Sequence, residues 1–175
     1  MKKLIISIFI TLFTHNLMAN SNYNANGEMS SFNVGYEMGT IANRDVSGVS
    51  IEYNFLFKLN HMKKYQGLGI GLGLDLDTLS PTSINNNIND NVQTIGIQAK
   101  IGYTLYDKYN IPVYIRIGVG PIYSYLKNSE GETNIQYSTD INVNVYKGLG
   151  FGFQYKEILN NDKVQVGIFY LQKSF

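Results

Sequence analysis

Five charged residues in this chain sit where charge is least at home. Glu37, Glu52, Asp75, Lys100 and Arg116 each fall on the polar side of a segment whose alternate positions are apolar. Two carboxylates on neighbouring segments could serve as general acid and base. Asp75 with Asp77, two apart on one face, could hold a cation weakly or bridge lipopolysaccharide, although no loop motif supports it. The mixed signs favour different chemistry. Acids and bases that share a confined interior pair with one another, because a desolvated ion is tolerable only with a partner. The five residues are therefore read as an interior ionic network, with Glu37 and Glu52 balanced by Lys100 and Arg116.

Other reactive types are scarce. Cysteine is absent, which removes thiol chemistry, disulfides and a lipid-bearing cysteine. Of the two histidines, His15 falls in the N-terminal leader and His61 stands in the turn Leu59 to Lys64, flanked by Lys63 and Lys64. A lipid A deacylase would need His, Ser and a carboxylate together, and no His-x-Ser-Asn-like cluster exists. With so few nitrogen and sulfur ligands, a transition-metal site is not expected either. The expectation is a non-enzymatic protein with no catalytic residue, cofactor or metal.

The elements that position these residues follow from periodicity. Lys2 and Lys3 precede the apolar run Leu4 to Phe13, and Ala19 offers a small residue for cleavage, so residues 1–19 read as a signal peptide. That run is too short for a membrane helix of ~20 residues. Residues 20–175 are then a single domain, exported, with no basic excess to suggest nucleic acid. After a polar lead, Phe32, Val34, Tyr36 and Met38 alternate with polar or small neighbours, as in a half-apolar strand. The pattern repeats from Val49 to Phe57, Leu68 to Leu76, Ile95 to Leu105 and Val113 to Val119. Glycines at 67, 69, 71 and 73 look like a nucleotide loop only superficially, since no helix follows. They are one face of a strand, and inward glycines leave room for water.

From Ile135 to Tyr155 the odd positions stay apolar without a break. Counted as one strand, the run gives seven, and single-chain bacterial barrels have an even number. A three-residue turn at Tyr146-Lys147-Gly148 splits it, pairing Val145 with Leu149 and giving Gly148 the left-handed position. The last strand, Val164 to Phe175, closes a count of eight. Its apolar residues occupy both parities, so a bulge or an irregular lower end is expected there. The fold class is all-β, an eight-stranded antiparallel up-and-down transmembrane β-barrel.

A soluble ligand-binding barrel would share the period but face its oily side inward. Its exterior would carry charge at roughly a quarter to a third of positions. Here the polar faces are mostly Gly, Ser, Asn and Gln. Aromatics gather near strand ends, as a membrane girdle requires: Tyr53, Phe55, Phe57, Tyr103, Tyr123 and Tyr125. A mean hydropathy of −0.12 does not oppose this, because half of each membrane strand faces the lumen.

Signal, alternating strands, glycine-rich inner faces and terminal Phe175 together resemble the small outer-membrane barrels of Gram-negative bacteria. The nearest broad group is that of the opacity-protein or OmpA/OmpX-like barrels. The resemblance implies a place in the cell outer membrane, among lipid and lipopolysaccharide, and a structural or adhesin-like surface role. It implies that Phe175 is the signal read by the barrel-assembly machinery. Loops 79–91 and 127–134 would face a host or cell-surface ligand. A small porin-like channel is the alternative; a lipid-modifying enzyme and a soluble lipocalin-like binder come after it.

Overall fold

The alternation folds as its period demands: every apolar run becomes a strand with one oily and one polar face. A computed structural model describes residues 30–59, 67–82, 91–109, 111–126, 131–146, 148–159 and 164–174. The strands are β1 (Ser31–Ile41), β2 (Arg44–Lys58), β3 (Leu68–Pro81), β4 (Val92–Thr104), β5 (Val113–Leu126), β6 (Glu132–Tyr146), β7 (Leu149–Leu159) and β8 (Val164–Ser174). Each pairs antiparallel with the next, and β1 pairs with β8, so the sheet is a closed eight-stranded barrel without a free edge. A helical turn, α1 (Tyr106–Tyr109), lies between β4 and β5. The expected signal peptide, His61 and Phe175 lie outside the described residues.

Strands of 11 to 15 residues reach or exceed the ~9–11 that a tilted strand needs to cross a bilayer. The outward face is predominantly apolar, with Leu72, Ile97, Ile117, Val119, Ile141 and Phe169 among its exposed side chains; Thr139 is an outward polar exception, and Gln93 and Gln165 stand outward toward the upper rim. Polar groups collect inside instead: Asn54, Gln98, Thr104, Gln136 and Glu37 are wholly buried. This is the inverse of a water-soluble barrel. Aromatics stand outward near both rims, with Phe57, Tyr146 and Phe151 at the end where β1 begins, here the lower end. Tyr123 and Tyr125 stand at the upper end.

Three local readings change. The β1–β2 turn is Ala42-Asn43, both at positive φ (50° and 63°), where the sequence pattern of Asn43-Arg44-Asp45 predicts a compact turn one step later. A two-residue hairpin needs such angles at both central positions, and Asn tolerates them. Between β6 and β7, Tyr146 pairs with Leu149 and the register shifts between Asn144 and Tyr146, in place of a Val145–Leu149 pair. Gly148, at φ 77°, still supplies the left-handed position, and Val145 and Leu149 both remain outward. Finally, β8 needs neither bulge nor irregular end. It pairs position for position with β1 from Gln165 to Ser174 and with β7 from Val164 to Lys173. Phe169 and Leu171 face outward, whereas Val164, Val166, Ile168 and Tyr170 face the interior.

Candidate functional site

The barrel interior is the candidate site, and it has three layers. In the lower layer, β2, β4, β5 and β6 bring Glu52, Lys100, Arg116 and Asp140 together. Lys100 Nζ pairs with Glu52 Oε1 and lies 3.8 Å from Asp140 Oδ2. Arg116 Nε donates to Asp140 Oδ1 at 2.8 Å, and its terminal nitrogens donate to Ser31 Oγ at 2.6 Å and the Tyr170 hydroxyl at 3.4 Å. Amides complete the shell: Asn33 and Asn54 each donate to Glu52 Oε2 at 2.8 Å, and Asn142 donates to Asp140 at 3.1 Å. Two acids meet two bases, so this layer is neutral. Below it, Gln172, Asn142, Asn144 and Ser174 form a hydrogen-bonded polar floor.

The middle layer has one base and three acids. Lys156 Nζ lies 2.7 Å from Asp77 Oδ2 and 3.1 Å from Asp75 Oδ2. Ser50 and Thr94 donate to Asp77 at 2.7 and 2.9 Å, and Gln98 and Gln136 donate to Asp75 at 3.2 and 2.9 Å. Glu37 faces Asp77 and Lys156 from β1, fully buried, with no hydrogen-bond donor on either carboxylate oxygen.

Of the five residues expected in the network, Glu52, Lys100 and Arg116 therefore share one layer. Asp75 belongs to the next, and Glu37 does not meet Lys100 or Arg116. The reason is height: Glu37 lies opposite Gly48 and Ile168, whereas Glu52 lies opposite Asn33, lower on β1. Sequence reasoning missed Asp140 and Lys156; at Asp75 and Asp77, where the sequence allows a weak cation site without a supporting motif, the Lys156 ammonium sits instead. Their signal was present: both missed residues hold the even, inward parity of the run from Ile135 to Tyr155. Among the described residues, no three His, Asp or Glu side chains converge in a way that could hold a metal ion.

The upper layer is apolar. Val46, Leu79, Ile122, Ile158, Val164, Val166 and Ile168 form one buried cluster, with Ile41 and Val92 against it. The inner face thus changes from polar to oily at one mouth, and residues that looked out of phase in β8 are part of this plug. Several inward glycines face close neighbours rather than open space. A Cβ at Gly96 would strike Gln136 and Asp75, one at Gly118 would strike Gln98 and Ser138, and one at Gly152 would strike the Tyr170 ring. These glycines make room for the long side chains of the network.

The same architecture occurs in solved outer-membrane barrels. The chain is similar to the outer membrane protein Ail of Yersinia pestis in a phospholipid nanodisc, at 14% identity and a TM-score of 0.58, covering 85% of this chain and 99% of that one. Neisserial surface protein A matches at 12% identity and a TM-score of 0.53, covering 85% and 97%. The outer membrane enzyme PagL matches at 9% identity and a TM-score of 0.55, covering 82% and 99%. No family model matches the sequence, and no curated protein matches it. At these identities the likeness establishes the fold: this is a small eight-stranded barrel of the outer-membrane type.

Proposed function

We propose that the protein is an integral outer-membrane barrel with a structural or surface-interaction role, exported through residues 1–19 and without catalytic chemistry of its own. The observation that carries this reading is the interior. Beneath an apolar plug, long side chains and their ionic partners cross the lumen from wall to wall, while the outer wall is predominantly apolar. Eight strands leave a lumen just wide enough for side chains to fill. A molecule so built acts through its rims and loops rather than through a pore or a cleft. Of the expected loops 79–91 and 127–134, Leu79 to Pro81 belong to β3 and Glu132 to Asn134 to β6; the connections that remain between β3 and β4 and between β5 and β6, at the upper end, are the natural contact points for a ligand outside the cell. Outer-membrane lipid, lipopolysaccharide and, during biogenesis, the assembly machinery are the other partners.

The test is fractionation followed by conductance. The protein should sediment with the outer membrane, require detergent for release, and run faster unheated than boiled on denaturing gels. Purified and added to a planar bilayer, it should insert without steady current. Recovery from the soluble periplasm would replace this reading with the lipocalin-like binder. A reproducible single-channel conductance would replace it with the small channel.

A further inference from the structure

The charges of the middle layer do not balance. Glu37, Asp75 and Asp77 face a single base, Lys156, which already serves both aspartates. Among the described residues, the elements around Glu37 add no base beyond Lys156. Its register partners are Gly48 on β2 and Ile168 on β8. Ser50 of β2 gives its hydroxyl proton to Asp77, and β8 presents Val166 and Ile168. Lys100 and Arg116 belong to the balanced layer below, and the apolar plug lies above. The Glu37 carboxylate faces another carboxylate, Asp77, together with Lys156 and the Ser50 hydroxyl. Two ionised carboxylates offer each other only acceptors, and because the Ser50 hydroxyl donates to Asp77, neither Glu37 oxygen has a donor. A buried unpaired charge is costly, and a bound water would satisfy the lone pairs without removing that charge.

We propose that Glu37 is a proton-binding site of the folded barrel, holding a neutral carboxyl group that donates a hydrogen bond to Asp77. One proton turns an acceptor–acceptor contact into a hydrogen bond and cancels one of the two excess charges. The remaining excess is spread over Asp75 and Asp77, which are held by Lys156 and by four donors from Ser50, Thr94, Gln98 and Gln136. An alkali cation would neutralise the same charge. The proton fits better because the site offers a lone carboxylate beside an already coordinated one, not a converging set of ligands.

Glu37→Gln tests this, since an amide copies the shape and donor of the neutral acid. Infrared spectra of the folded barrel in detergent at neutral pH should show a protonated-carboxyl stretch in the parent that Glu37→Gln lacks. The melting temperature of Glu37→Gln should equal or exceed that of the parent, whereas Glu52→Gln, which removes the charge paired with Lys100, should melt well below it. Three results would overturn the proposal. The first is an unchanged carboxyl band in Glu37→Gln. The second is failure of that variant to fold, or a loss as large as that of Glu52→Gln. The third is a parent melting temperature that rises in sodium or potassium chloride over choline chloride while Glu37→Gln does not respond, which would make the occupant an alkali cation.

Discussion

Replacing Arg116 by alanine removes the hub of the lower layer. The guanidinium spans the lumen from Asp140 on β6 to Ser31 on β1 and Tyr170 on β8, and it is 2% exposed. Breaking a buried ion pair by deleting one partner costs ~3–5 kcal/mol, because the partner is left charged in a poorly solvating place. Here Lys100 stays 3.8 Å from Asp140 and covers part of the deficit, so the lower end of that range, about 3 kcal/mol, is expected. Asp140→Asn alone strands Arg116 and should cost a similar amount. The double variant removes both charges, and its loss should fall short of the sum by roughly 2 kcal/mol, within the range seen for coupled neighbours. Equilibrium urea unfolding in phospholipid vesicles, followed by far-ultraviolet circular dichroism, measures all four corners of the cycle. A single-variant loss below about 1 kcal/mol, the worth of a solvated surface pair, would refute the reasoning. Strict additivity would refute it as well.

Other perturbations address the wall, the glycines, the plug and the topology. Ile97→Arg, mid-strand on β4 and outward, should cost roughly 2–4 kcal/mol and block assembly, read as loss of the fast-migrating gel band. Gly96→Val would push on Gln136 and Asp75 and should cost about 1–3 kcal/mol by overpacking, measured by the same urea titration; unchanged stability would show a roomy lumen. Leu79→Ala, at 2% exposure in the plug, should lose about 2–5 kcal/mol by the same titration; no loss would show that the apolar layer is not packed. An epitope inserted after Asn86 should be stained on intact cells, since longer loops of such barrels face outward; staining only after permeabilisation would invert the orientation.

The wall was legible in the sequence because lipid imposes one strict rule on every second residue, and that rule needs no knowledge of partners. Strand number followed from it, including the split after Tyr146. The interior was less legible for a physical reason. Parity places a side chain in the lumen, but strand stagger sets its height, and height decides who pairs with whom. Glu37 and Glu52 share the inward face and a sign, yet one meets Asp77 and the other Lys100. Asp140 and Lys156 could have been found by carrying parity through the long Ile135 to Tyr155 run. The plug was hidden because apolar residues on an inner face resemble a phase error; Val164, Val166 and Ile168 are in phase and buried at one mouth.

The central claim is that the apolar face meets lipid while the charged face is sealed inside. The chain has no tryptophan, so a single Ile117→Trp variant reports from one place on the wall. Ile117 is 53% exposed, outward on β5, between the buried Arg116 and the tightly packed Gly118. Reconstituted in vesicles of brominated phospholipid, its fluorescence should be strongly quenched by the acyl-chain bromines and indifferent to aqueous iodide. Quenching by iodide without quenching by bromine would put this face in water and contradict the account.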